Sequence, residues 1–209
     1  MNRNYQKELD TIIAQLEKTK ERPRLLLHSC CAPCSSYVLE YLSPYFDITV
    51  FYYNPNITDE AEYQKRIDEV KRLISEMGLL EVSVVEGDSN PKAFFEMAAK
   101  WPGEKEGGKR CYDCYKMRLF ETERLAAEGG FDYFTSTLSI SPHKNAVWLN
   151  ELAEEAAACY GVKALPSDFK KKNGYKRSIE LSAQYHLYRQ DYCGCIFSKN
   201  ERGCQKGEE

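Results

Sequence analysis

Hydrophobic and polar positions alternate between two rhythms along the chain. Residues 4–20 place Leu9, Ile12, Ile13 and Leu16 three or four apart, which predicts an amphipathic helix, whereas 24–28 is a short apolar run of strand length. The pattern then repeats. Helices are predicted over 34–42 and 59–77, the second with Ile67, Val70, Ile74 and Met77 on one face, and strands over 47–53 and 80–85. Gly78 stands where a helix C-terminus favours glycine, and Pro91 opens the next helix. A loop rich in glycine and charge at 101–109 precedes a helix over 115–128, which ends at Gly129-Gly130 before a strand at 131–135. A helix over 143–160 turns Ala146, Leu149, Ala153, Ala156 and Tyr160 inward; a strand at 162–165 and a long helix over 175–190 follow.

Such alternation predicts an α/β fold, a doubly wound, mostly parallel sheet with right-handed crossovers. Residues 1–165 are expected to form this domain, and 166–209 a C-terminal helical extension packed on it. Ligands of such sheets gather beyond the carboxyl ends of the strands. The segments after 24–28 and after 131–135 should therefore open on one crevice.

Composition narrows the function classes only a little. With a net charge of -3 the chain as a whole neither attracts nor repels a polyanion, so a nucleic acid would need a local basic patch. The first twenty residues mix charged and apolar positions without a leader-like run, and the longest apolar stretch, 48–53, is too short to span a bilayer. A cytoplasmic protein with no membrane partner is expected. Nine cysteines change the picture more, because in a reducing compartment clustered thiols point to metal or redox chemistry rather than to structural disulfides.

Seven of the nine fall in three groups. Cys30, Cys31 and Cys34 sit at a strand-to-helix turn, where the helix N-terminus favours thiolates. Packing alone asks for no such triplet. Cys111 and Cys114 form a Cys-x-x-Cys half-site at a helix start, and the two groups together can supply the four thiolates of a structural zinc or a [4Fe–4S] cluster. Adjacent side chains such as Cys30 and Cys31 are expected to splay apart, which favours separate irons over one tetrahedral ion. Cys193 and Cys195 flank Gly194; a disulfide there would close a very small, strained ring and be easily reduced, or the pair could itself ligate metal. Cys159 is assigned to packing and Cys204 to a polar tail without a role.

Basic residues gather in 168–177, where Lys170, Lys171, Lys172 and Arg177 with Phe169 and Tyr175 could grip a phosphate backbone, or could simply form a solvated loop. Two rival chemistries stay in view. Cys31-Ala32-Pro33-Cys34 has the composition and placement of a thiol–disulfide oxidoreductase motif, although Cys30, Cys111 and Cys114 are then superfluous. A zinc-stabilised tRNA-binding module would need the thiols and the basic run but no redox step.

Taken together, HSCCAPC at 28–34, RCYDCYKMR at 110–118, STLSISPHK at 136–144, DFKK at 168–171 and YRQDYCGC at 188–195 closely resemble one family, the cobalamin-independent epoxyqueuosine reductases of QueH type. That resemblance implies a Rossmann-like fold of the HUP group. The turn after the first strand lacks the Ser-Gly-Gly phosphate loop of ATP pyrophosphatases, so ATP use is not expected. It also implies the last step of queuosine formation in tRNA, in which an epoxide is reduced to a cyclopentene with loss of water. By resemblance Cys30, Cys31, Cys111 and Cys114 would bind a [4Fe–4S] cluster, an additional iron or zinc ion would lie beside it, and Cys193 with Cys195 would form a redox-active disulfide. Cys34 and Asp113 are left as candidates for the additional ion, Asp113 as a hard ligand suited to iron. Arg118 and Lys144 are candidates for orienting substrate or phosphate, and an electron donor is required whose identity the sequence does not carry.

Overall fold

The computed structural model describes residues 3–206, with side chains up to 203. Five strands, β1 (Arg24–His28), β2 (Asp47–Tyr52), β3 (Ser83–Glu86), β4 (Tyr133–Ser136) and β5 (Lys163–Ala164), form one sheet in the order β3-β2-β1-β4-β5. Every pairing is parallel, as the strand–helix alternation predicts. Central strand β1 carries Leu25, Leu26 and Leu27 with no exposed surface, the continuous apolar run of a strand covered on both faces. Helices α1 (Tyr5–Thr19), α2 (Ala32–Leu42) and α3 (Glu60–Glu76) pack Leu9, Val38 and Ile67 with Leu25 and Leu27 on one face. On the other face, α5 (Lys109–Glu128) and α6 (Ala146–Tyr160) bring Ala126, Ala153 and Ala156 against Leu26 and Phe134. A short α4 (Lys92–Ala98) begins at Pro91, and no helix of the described residues is long and apolar enough to cross a membrane.

Several boundaries depart from the pattern, each for a local reason. Helix α2 starts two residues early, with Cys31 as its extended N-cap and Pro33 in the first turn, where no intrahelical N–H is lost. Helix α5 starts at Lys109, so Cys111 and Cys114 lie three apart on one side of its first turn. Asn145 shortens α6 by accepting hydrogen bonds from the N–H groups of Val147 and Trp148. Tyr160, expected inward on α6, is 47% exposed, and Cys159, assigned to packing, is also exposed.

The largest difference lies near the C-terminus. The helix expected over 175–190 ends as α7 at Gln184 (Gly174–Gln184), and an additional helix, α8, occupies Ile196–Lys206. His186 takes a left-handed backbone with φ 48°, its N–H reaching Ala183 O and that of Leu187 reaching Ser182 O. This is a Schellman closure, sealed by burial of Leu187 in the core. The same closure ends α3 at Gly78, but there glycine advertises it in the sequence. The segment between α7 and α8 is thereby freed to line the site.

Candidate metal and redox site

The sequence-predicted crevice forms where β1 and β4 end. His28 stands opposite Ser136 in the parallel register, and a 3-10 turn at Thr137–Ile140 follows β4. Thr137 Oγ1 accepts from the Cys30 N–H at 3.3 Å and lies 3.6 Å from Cys30 Sγ. Beneath this turn His28 is fully buried, with Nδ1 2.8 Å from Ser136 Oγ and Nε2 3.0 Å from Tyr53 O. Burial, reinforced by the Arg118 charge, lowers its pKa to about 3, so the ring is neutral.

Cys30, Cys31 and Cys34 present sulfurs that all lie within 4.8 Å of one another. The expectation that Cys30 and Cys31 splay apart is corrected, since their Sγ atoms are 3.7 Å apart. The extended N-cap backbone of Cys31, φ -175° and ψ 162°, is where the chain leaves the strand end and enters α2. A tetrahedral ion with metal–sulfur bonds of about 2.3 Å separates its sulfurs by about 3.8 Å. The spacing therefore no longer favours a cluster over a single ion; that choice rests on the number of thiols.

All seven grouped thiols meet in one place. Cys30, Cys31, Cys34 and Cys193 line a cavity of about 330 Å³, while Cys111, Cys114, Cys193 and Cys195 line a smaller one of about 20 Å³. Cys193, Arg118 and Lys144 border both. Hydrogen bonds with Cys31 and Cys34 hold Cys30 well below the ordinary thiol range despite burial. Cys31, hydrogen-bonded to Cys30, is raised to about 12, and the same neighbours raise Cys34. A dithiol oxidoreductase needs the opposite at its attacking cysteine, a lowered pKa. Burial raises Cys111, and Cys114 to about 11.

The Cys193-Gly194-Cys195 segment is held on every side. Its two sulfurs lie 3.5 Å apart, and Gly194 adopts φ 109°, a conformation that favours glycine. Arg66 Nη1 and Asn56 Nδ2 donate to Cys193 O at 3.3 and 3.4 Å, and Cys193 N donates to Ser198 Oγ at 3.2 Å. Ser198 N in turn donates to Cys195 Sγ at 3.4 Å. The hydrogen bond with Cys195, aided by the Lys144 charge, lowers Cys193 to about 5 against the opposing effect of burial; Cys195 is raised correspondingly.

Cations surround the thiols. Arg66, Arg110 and Arg118 are 2%, 3% and 4% exposed. Arg66 pairs with Glu62 at 2.6 Å, Arg110 with Glu201 at 3.3 Å and Lys144 with Glu106 at 3.5 Å. Arg118 instead donates to the neutral groups His28 Nε2 and Asn54 Oδ1. Burial lowers the Lys144 pKa, but Cys193, Tyr115 and Glu106 outweigh it and hold the ammonium above its ordinary range. Soft donors ringed by buried positive charge suit an iron–sulfur group whose thiolate ligands bring negative charge.

The remaining sequence candidates lie apart. Asp113 accepts a hydrogen bond from Trp101 Nε1 at 2.7 Å and does not line either cavity. In the basic run, Lys170 pairs with Asp168 at 2.8 Å, Lys172 with Asp10 at 2.6 Å, and Arg177 with Glu40 at 2.6 Å and Glu180 at 3.3 Å. Lys171 is exposed, and the side chain of Cys204 lies outside the described residues. Sequence reasoning missed Arg66 and Ser198: the first looks like a surface position of an amphipathic helix, and the second sits in the unforeseen α8.

Comparison with known proteins gives a consistent result. The family model described as epoxyqueuosine reductase QueH matches residues 25–201. A Staphylococcus epidermidis protein named epoxyqueuosine reductase QueH is 45% identical over 206 residues, 96% of this chain and 86% of its own length. The protein of that name from Streptococcus pyogenes is 42% identical, covering 97% of this chain and 82% of its own length. The Thermotoga maritima protein is 33% identical, over 85% of this chain and 91% of its own length.

Proposed function

The chain belongs to the epoxyqueuosine reductase QueH family, and on that footing we propose that it reduces the epoxide of epoxyqueuosine in tRNA to the cyclopentene of queuosine. One observation carries the reading: seven thiols from three distant stretches converge, and Cys193 stands at the junction of the two cavities they line. A structural zinc uses four ligands at most from such a set, and a non-catalytic module has no need of the others.

Cys30, Cys31, Cys111 and Cys114 would hold a [4Fe–4S] cluster, which when bound supplies electrons one at a time. Cys34, beside Cys30 and Cys31, would hold the additional iron or zinc ion, whereas Asp113, bonded to Trp101 and outside both cavities, would join it only after a rearrangement at the start of α5. The chain's own residues account for the rest of the balance. Epoxide removal consumes two electrons and two protons and releases water. Oxidation of the Cys193/Cys195 pair, one thiolate and one thiol, to a disulfide releases two electrons and one proton, and the second proton would come from the Lys144 ammonium. Lys144, cationic and on the border of both cavities, would stabilise the oxygen as its carbon bond breaks and give it a proton. Arg118 holds compensating positive charge beside the Cys30 thiolate. An external donor must then reduce the disulfide, and a tRNA substrate places the enzyme in the cytoplasm.

The test is anaerobic incubation of the iron-replete protein with epoxyqueuosine-containing tRNA and a chemical reductant, followed by nucleoside analysis. The expected product is queuosine, one oxygen atom lighter. Unaltered nucleoside with fully loaded protein would overturn the proposal.

A further inference from the structure

The large cavity is lined by Cys30, Cys31, Cys34 and Cys193, by the half-buried Tyr175 and Tyr192, and by Arg202 and Arg189, of which the exposed Arg189 marks its mouth. Arg189 is exposed, and its guanidinium donates to a neutral partner, Ser182 Oγ, at 3.0 Å. Arg202 comes from α8 and Arg189 from the segment between α7 and α8, so the mouth exists only because α7 stops at Gln184.

The lysine-rich loop contrasts with this mouth. Three of its four candidate cations are already tied to Asp168, Asp10, Glu40 and Glu180. A phosphate would have to compete with carboxylates for each of them. At the cavity it would meet the Arg189 guanidinium, whose hydrogen-bond partner among the described residues is the Ser182 hydroxyl, and Arg202, whose charge is shared with Glu106, beside the thiols where the chemistry must occur. The sides of the cavity add the second element that a single nucleotide needs. Aromatic faces accept an unstacked base, and enzymes that act on a base draw it out of its stack into a pocket.

Resting on the reading of the chain as a tRNA-modifying reductase, we propose that Arg189 and Arg202 grip the RNA phosphates on either side of the target nucleotide. The extruded base passes between Tyr175 and Tyr192 toward the sulfurs. The loop at 168–177 is then a structural brace, joining α7 to α1 and α2 through Lys172–Asp10 and Arg177–Glu40.

The experiment measures binding of an unmodified tRNA to anaerobically purified protein across a salt series, independently of turnover. Each phosphate contact contributes about 0.7–0.9 to the slope of log K against log salt. An Arg189→Gln/Arg202→Gln variant should lose about 1.4–1.8 of that slope and bind roughly tenfold or more weakly. A Lys170→Gln/Lys171→Gln/Lys172→Gln variant should keep most of both. In the unaltered protein, bound RNA should shield Arg189 and Arg202 from phenylglyoxal, a readout that does not depend on how any variant folds. Wild-type slope and affinity in the arginine variant, or no shielding, would overturn the inference and leave the reductase reading intact. Failure of the wild-type protein to bind the RNA at all would overturn both.

Discussion

Replacing Gly194 by alanine probes the geometry that holds the Cys193/Cys195 pair. At φ 109° an L-residue gives up about 1–2 kcal/mol relative to an ordinary backbone region. The new Cβ would stand 2.8 Å from Ile57 Cγ1 and 3.2 Å from Arg66 Nη1. Neither neighbour is a free end. Ile57 is 3% exposed in the core, and Arg66 is fixed by Glu62 at 2.6 Å and by the Cys193 carbonyl. Overpacking of this kind costs about 1–3 kcal/mol. The sum, about 2–5 kcal/mol, is a large part of the 5–15 kcal/mol or so typical of a domain. Urea denaturation should show the midpoint falling by about 1–2.5 M at a slope of roughly 2 kcal/mol per M. Thiol trapping should show an air-oxidised pair that no longer forms readily, because relief of the clash moves Cys193 away from Arg66 and Asn56. Gly203→Ala is the control: Gly203 lies within α8 with nothing within 4 Å, and alanine there should stabilise by about 0.4–1 kcal/mol. A Gly194→Ala protein within about 0.5 kcal/mol of wild type, with normal pair formation, would refute the reasoning.

Two further outcomes follow from the same site. The Cys193→Ser/Cys195→Ser variant should keep its iron and visible spectrum and still bind RNA, while multiple turnover collapses; loss of iron would make these thiols ligands, and full turnover would make them bystanders. With its pKa lowered to about 5, Cys193 stays a thiolate above that pH and is protonated below it, so its alkylation by iodoacetamide should be nearly flat above about pH 6. Lys144→Gln removes a positive charge and should move that profile upward; a wild-type rate still climbing through about pH 8–9 would contradict the assignment.

Much of the architecture is written in local signals. The apolar run of β1 and the amphipathic faces of α1 and α3 mark their elements almost to the residue, and Gly78 marks where α3 closes. The close of α7 was invisible because His186 fills the left-handed position where glycine is usual, and a tertiary contact of Leu187 decides the matter. Missing that stop hid α8, and with it Ser198 and Arg202. The grouping of the thiols was legible from spacing and topology, since strand ends of a parallel sheet face one edge. Their mutual geometry was not: the Cys30 and Cys31 sulfurs lie 3.7 Å apart where adjacency alone suggested divergence. The basic loop shows the complementary limit, because its carboxylate partners on α1 and α2 are distant in sequence.

The central claim, that these converging thiols carry an iron–sulfur group, is tested most directly by metal analysis of the anaerobically purified protein together with its visible spectrum. The account predicts brown protein with about four irons and four sulfides per chain from the cluster, any adjacent ion being extra. It also predicts loss of the visible absorption in a Cys111→Ala/Cys114→Ala variant. Colourless wild-type protein holding a single zinc, or a double variant that keeps its iron and colour, would contradict it.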